Sequence, residues 1–470
     1  MCIRDRLNII EPHPFESLGE KFSSVVEFQE LKGIQSIYLN KSFIKESLDP
    51  VSVTRLENIL RGSEQPDQGI SMVYAGHQFG QQVPQLGDGR GLMIGMIKDL
   101  KLDLHIKGAG KTPYSRFGDG RAVTRSVIRE YLVGEAMHAL NIPTSRALMM
   151  VFSNEPVFRE TTEKGSQLLR TSKTHIRFGH FEYFAFTNQK EELYRLLDWC
   201  IENYFSELSD DKEKYAAFFR EIVQRTAWMI ADWQSIGFCH GVMNTDNMNI
   251  LGETFDYGPY GFMETYNSKH VCNHTDTQAR YSYQNQPLIG LWNCSVLAKT
   301  LEEVIDGAIL EGHLKEYEIE FQTKLLQNFR NKLGLFEEDK NDPFLIQELL
   351  NLMETNHLDF TTSFQNLESI LAGDHSIIDK EWVNKFAARH DKESTSLEDR
   401  IQHCKAHNPK FILRNYHIQN VIEAAEQGDF TKLESLESMA KNPFEQFENL
   451  KEYYQPSPPG FNNLPLSCSS

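Results

Sequence analysis

His240-Gly-Val-Met-Asn-Thr-Asp-Asn247, followed nine residues after Asn247 by Asp256-Tyr-Gly258, is the segment on which the fold turns. It lies in a polar stretch, residues 237–286, rich in Gly, Asn, His and Tyr. Connecting regions of that composition carry function when a rigid scaffold holds them. Just upstream, residues 215–236 place Phe218, Phe219, Ile222, Val223, Ala227, Met229, Ile230 and Trp233 at helical spacing. That pattern predicts an amphipathic helix leading into the polar segment.

Working towards the N-terminus, Gly91–Ile97 and Leu102–Lys107 read as strands beside glycine-rich turns. The turn Gly87-Asp-Gly-Arg-Gly91 suits close approach of backbone N–H groups to phosphates, and equally a tight hairpin. Lys107 ends an alternating strand, and Glu130 follows on a predicted helix over residues 124–140 that stops at Ile142-Pro143. After a strand-like patch at residues 147–158 the chain reads as helical, with amphipathic patterns at 192–208 and 215–236 and helix after helix from 288 to about 451. Arg170 and Arg177 bracket a segment with Lys173 and His175, which reads as a phosphate grip or as structural ion pairing. Asp119-Gly120 suits a plain turn.

The order of these parts resembles protein kinases. Residues 240–247 have the length and ends of H-R-D-x-x-x-x-N, Asp256-Tyr-Gly258 stands where D-F-G would, and Lys107 where the V-A-I-K lysine would. Asn247 and Asp256 can share one Mg²⁺ bridging nucleotide phosphates. Val242 falls at the position of the kinase base and cannot accept a proton; Asp246 is the nearby carboxylate that can. The Gly108-Ala-Gly-Lys-Thr112 run lacks the glycine that a Walker A motif needs at position 105, which is His. His270-Val-Cys-Asn-His274 offers three metal-type ligands and no evident fourth.

Composition sets outer bounds. The 470 residues carry net charge −18, which argues against an extended nucleic-acid or anionic-membrane surface. No apolar run reaches the length of a membrane span, and residues 1–6 open neither a secretion signal nor a transit peptide. Cytoplasmic location and a monomer are the default expectations. The seven cysteines form no C-x-x-C pair, but Cys468 follows a Pro-rich run near the C-terminus, where a thiol is accessible.

Taken together the sequence is similar to the selenoprotein O (SelO-like) family of protein adenylyltransferases. The matching stretches are Tyr74-Ala-Gly-His-Gln-Phe-Gly80, Gln85-Leu-Gly-Asp-Gly-Arg-Gly91, Lys107-Gly-Ala-Gly-Lys-Thr-Pro-Tyr-Ser-Arg116, Gly118-Asp-Gly-Arg121, Arg170-Thr-Ser, residues 240–247 and Phe255-Asp-Tyr-Gly-Pro259. The resemblance implies a bilobal kinase-like α+β fold with extra C-terminal helices. ATP would bind in a flipped orientation, and AMP would pass to Ser, Thr or Tyr hydroxyls of other proteins. It implies that Gly87, Gly89, Arg90, Lys107, Asp119, Gly120, Arg170 and Arg177, with Asp256, hold the nucleotide, and that Glu130 orients Lys107. Asp246 would be the base, with Asn247 and Asp256 on Mg²⁺ or Mn²⁺. It also implies a redox role for Cys468, with Cys272 as the candidate partner in a gating disulfide.

The expected division is an N-terminal extension (1–65), an N-lobe (66–158), a C-lobe with the catalytic seam (159–300), a helical region (301–450) and a tail (451–470). A conventional kinase and a silent nucleotide-binding scaffold are the alternatives. Val242 weighs against the first, and intact Lys107, Asn247 and Asp256 weigh against the second.

Overall fold

The computed structural model describes residues 10–374, 379–458 and 466. Its strands in chain order are β1 (Ile10–Glu11), β2 (Ser23–Val25), β3 (Ile34–Leu39), β4 (Ile70–Met72), β5 (Gly76–Gln78), β6 (Gln81–Val83), β7 (Gly91–Ile97), β8 (Leu102–Lys107), β9 (Ala122–Val123), β10 (Arg146–Phe158), β11 (Thr162–Ser172), β12 (Phe238–Cys239) and β13 (Gly261–Phe262). Nine of them form one sheet, ordered β2-β4-β7-β8-β11-β10-β3, with β1 beside β7 and β9 beside β11. Every pairing in it is antiparallel. The fold is therefore mixed α and β around one large antiparallel sheet.

The two faces of this sheet do different work, and β8 shows why. Its sequence alternates Leu-Asp-Leu-His-Ile-Lys, so period-two geometry sends Leu104 and Ile106 one way and Asp103, His105 and Lys107 the other. Leu104 and Ile106 join Leu92, Ile94 and Leu148 in a core covered by α1 (Lys41–Ser47) and α2 (Pro50–Leu60). Each such side chain contributes about 1.5–3 kcal/mol on burial. That apolar face anchors the strand, which leaves the opposite face free to carry charge.

Helix α3 (Thr124–Ala139) lies against β10 and β11, where Val127, Ile128, Tyr131 and Leu132 are fully buried. Next come α4 (Phe178–Phe186), α5 (Lys190–Tyr204) and α6 (Lys214–Ser235), then α7 (Gln286–Leu301) and α8 (Gly307–Leu333), which pack on α6. The later helices enclose a separate core around Trp382, Phe386, Leu349 and Phe364. No helix among the described residues is long and apolar enough to cross a membrane.

Two sequence expectations change here. The chain does not turn helical after residue 158; β11 runs back along β10 and places Arg170 opposite His105 of β8. Its polar start, Thr162-Glu-Lys-Gly165, and its buried arginine hid the strand from hydrophobic periodicity. Residues 10–65, set apart in the sequence reading as part of an N-terminal extension, supply β2 and β3 at the two ends of the sheet's pairing order, along with α1 and α2. Strands of three to six residues are too short to set up a readable pattern.

Candidate active site

The charged face of the sheet lines a cleft of about 580 Å³. Lys107, the last residue of β8, is buried and ion-paired with Glu130 of α3. Arg170 on β11 reaches the same glutamate at 2.8 Å and Asp256 Oδ1 at 2.6 Å. Arg177, the N-cap residue of α4, donates to Asp256 Oδ2 at 2.5 Å and to the Asp246 carbonyl at 2.8 Å. Its guanidinium lies over the rings of Tyr74 and Phe255, 4.6 Å from each centroid. Asp256 is held at φ +53°, in the left-handed region that aspartate enters more readily than most non-glycine residues.

The electrostatics follow from that geometry. Burial alone would raise the Asp256 carboxyl, but Arg177, Arg170 and Lys107 outweigh it and hold it well below the usual range. Glu130 is lowered in the same way, with burial opposed by Lys107 and Arg170. Burial pulls Lys107 below the ordinary lysine range despite Glu130, because Arg90 and Arg170 stand near it.

The 240–247 loop forms the other wall. His240 stacks on Trp233 of α6, with centroids 5.3 Å apart, and its Nε2–H donates to the Phe255 carbonyl at 3.1 Å. That bond ties the loop to the segment bearing Asp256. Asn247 donates its amide to the Val242 carbonyl at 3.0 Å. Asp246 sits on a single 3₁₀ turn and is buried; its Oδ2 accepts from Gln78 at 3.1 Å, while Oδ1 has no partner. Burial raises its pKa to about 7, with Asp256 adding a smaller push. Asn247 and Asp256 line the same cleft, and their amide and carboxylate oxygens are hard donors of the kind that fits a small divalent cation.

The hairpin of β5 and β6 positions this loop. His77 N donates to Thr245 Oγ1 at 2.7 Å, and Phe79 N to Asn244 Oδ1 at 3.1 Å. A Cβ on Gly76 would come within 2.6 Å of Asp246 Oδ1, so only glycine permits this approach. The 87–91 turn is also tight. A Cβ on Gly87 would meet the Tyr114 ring at 2.4 Å, and one on Gly89 the Tyr114 carbonyl at 2.9 Å. These glycines let two loops pack at the mouth of the cleft. Gly120, at φ +73°, packs on the Gly110 carbonyl. Asp119 receives Arg159 at 2.8 Å and the Arg121 amide at 2.9 Å, so beyond a turn it anchors an arginine at the cleft.

The family model described as Protein adenylyltransferase SelO matches residues 6–441. The chain belongs to the SelO family. It is 44% identical over 459 residues to the Protein nucleotidyltransferase YdiU of Aliivibrio salmonicida, covering 94% of this chain and 95% of that protein. It is 43% identical over 474 residues to the protein of that name from Vibrio atlanticus, covering 97% and 98%. With that of Erwinia tasmaniensis it shares 46% identity over 416 residues, covering 86% and 87%. This SelO-family chain is a nucleotidyltransferase with ATP as its nucleotide substrate.

Every nucleotide and metal position expected from the sequence other than Glu130 lines the one cleft, and Glu130 reaches it through Lys107 and Arg170. Sequence reasoning assigned no role to Gly76, Gln78, Asp88, His105 or Arg159. The motif Tyr74-Ala-Gly-His-Gln-Phe-Gly80 of this SelO chain was the available signal for the first two. His270 and His274 do not converge: the first faces a cavity with Glu264 and Glu354, the second another beside Leu466. Cys272 is buried under Gly241, whose added Cβ would lie 2.8 Å from its Sγ. Cys468 lies outside the described residues.

Proposed function

We propose that this protein transfers AMP from ATP to Ser, Thr or Tyr hydroxyls of other proteins, using a bilobal kinase-like arrangement with ATP flipped. The carrying observation is the pair Asp246 and Val242. The kinase base position holds an apolar side chain, while four residues on a buried carboxylate with an elevated pKa faces the cleft. A base shifted along the loop matches a reacting phosphorus atom shifted along the triphosphate.

In this reading Lys107, Arg170, Arg177 and Arg90 neutralise the phosphates, with Gly87, Gly89, Asp119 and Gly120 shaping their enclosure. Asn247 and Asp256 hold Mg²⁺, or Mn²⁺, whose chemistry is to neutralise charge on the phosphates. Asp246 takes the proton from the acceptor hydroxyl, whose oxygen bonds to the α-phosphorus. The bond from that phosphorus to the bridging oxygen breaks, and pyrophosphate leaves. Both arginines currently pair with Asp256, so a triphosphate enters by sharing them, a small rearrangement of existing ion pairs.

Redox gating through Cys272 and Cys468 belongs to the same proposal. It is supported by Cys272 lying under Gly241 of the 240–247 loop, and by Leu466 bridging to Asn273, the residue after Cys272. A cytoplasmic monomer completes the reading.

The test uses reduced protein, Mg²⁺ and ATP labelled at the α-phosphate in one tube and the γ-phosphate in another. Label on protein from the α tube alone is expected. Label from γ alone would make this a conventional kinase and overturn the reading.

A further inference from the structure

A larger cavity of about 700 Å³ adjoins the nucleotide cleft, and Tyr257, Gly258 and Pro259 line both. Its walls come from α3 (Ser126), from β11 (Lys164) and from the helix Asn415–Glu426 (Gln419 and Ile422). Along one side the backbone at Asn273 and His274 pairs with Leu466 of this same chain. Asn273 and Leu466 form a parallel β-bridge, and His274 N donates to the Leu466 carbonyl at 3.0 Å.

We propose that this groove binds the acceptor polypeptide as an extended strand, main chain to main chain along Asn273–His274, and that Leu466 occupies part of the same track. The proposal rests on the adenylyl-transfer reading of the cleft.

Three observations carry it. The groove adjoins the cleft through the shared turn that follows Asp256, so a residue lying in it borders the cleft. At that turn Gly258 has no heavy atom within 4 Å of where a Cβ would stand, which leaves room for an acceptor side chain to pass. The pairing with Leu466 shows one backbone donor, His274 N–H, turned into the groove and matched by a main-chain carbonyl. Main-chain pairing supplies affinity with little demand on sequence, and side-chain pockets add selectivity. The charges nearby are balanced, with Arg125 paired to Glu163 at 2.7 Å, so an apolar or mixed segment fits better than a strongly charged one.

The occupant seen here makes the prediction sharp: displacing Leu466 frees the track, and filling the groove closes it. The experiment uses the full-length reduced protein and fluorescein-labelled dephosphorylated β-casein, an unfolded, hydroxyl-rich chain. Binding is read by anisotropy without nucleotide, beside AMP transfer to the same casein and calorimetric ATP affinity. The Gln419 amide donates to its own helix neighbour Glu423, and the side chain is part-exposed, so Gln419→Trp fills the groove without disturbing the core. It is expected to weaken casein binding about fivefold or more, with ATP affinity unchanged. Leu466→Asp is expected to tighten casein binding and lower its KM. Casein binding absent from the wild type, or unchanged by Gln419→Trp, would overturn the proposal. So would loss of ATP affinity in that variant, because groove and cleft would then be one site. If casein binding responds as expected but no AMP is transferred, the groove stands and the adenylyl-transfer reading falls.

Discussion

Asp246 and Asp256 stand on one continuous segment and line one cleft, yet their surroundings are opposite. Asp256 has an arginine on each carboxyl oxygen and is ionised at any ordinary pH. Asp246 has one amide donor, one unpartnered oxygen and no cation on its carboxyl group, so burial lifts it to about 7. Arg177 bonds the Asp246 backbone carbonyl and the Asp256 carboxylate rather than the Asp246 carboxyl group. The contrast assigns roles: a carboxylate locked in its charged form suits a cation and phosphates, and one poised near neutrality suits proton transfer.

The largest way to break that contrast is to remove Asp256. Asp256→Ala strips buried Arg177 of its counter-charge and leaves buried Arg170 with Glu130 alone, and breaking such a network costs about 3–5 kcal/mol. Thermal unfolding should fall accordingly, and AMP transfer should drop to background. A variant with native melting behaviour and residual transfer near wild type would show that the arginines need no carboxylate.

Removing the other carboxylate should act in the opposite direction on stability. The folded-state pKa of Asp246 lies above its unfolded value, so its contribution is full below about pH 4 and is lost as pH rises through about 7. Asp246→Asn cannot ionise and escapes that loss. Its unfolding free energy should exceed that of the wild type at pH 8, by on the order of 2–4 kcal/mol, and converge on it near pH 4. Transfer should fall about 10²–10⁴-fold, the usual contribution of a general base. Equal stability of the two proteins at pH 8 would mean that Asp246 is not desolvated.

A smaller perturbation tests how the hairpin holds the poised carboxylate. Gly76→Ala puts a methyl against Asp246 Oδ1, and such overpacking typically costs about 1–3 kcal/mol. Transfer should drop in proportion to the displaced base, while ATP affinity, set on the other wall, should hold. An unchanged rate would place the functional atom away from Asp246 Oδ1.

How much of this was legible in the sequence differs between the same two walls. The strand-borne cations were readable, because β8 alternates cleanly and a terminal lysine with a helix glutamate 23 residues on is a spaced pattern. Asn247 and Asp256 were readable from loop length. Arg170 was singled out as a cation, but not as a residue of a central strand, since β11 buries a charge where periodicity expects an aliphatic. The positioning of Asp246 by Gly76 and Gln78 was not readable. It depends on a contact between segments 168 positions apart, and no local pattern records which glycine faces which carboxylate.

The most direct measurement is the pH dependence of single-turnover AMP transfer in the wild type and in Asp246→Asn. If Asp246 is the base, the wild-type rate rises with pH through an inflection near 7, where the carboxyl ionises, and the residual rate of the variant shows no such inflection. An inflection near 7 that persists in Asp246→Asn would contradict the assignment and give the proton to another group.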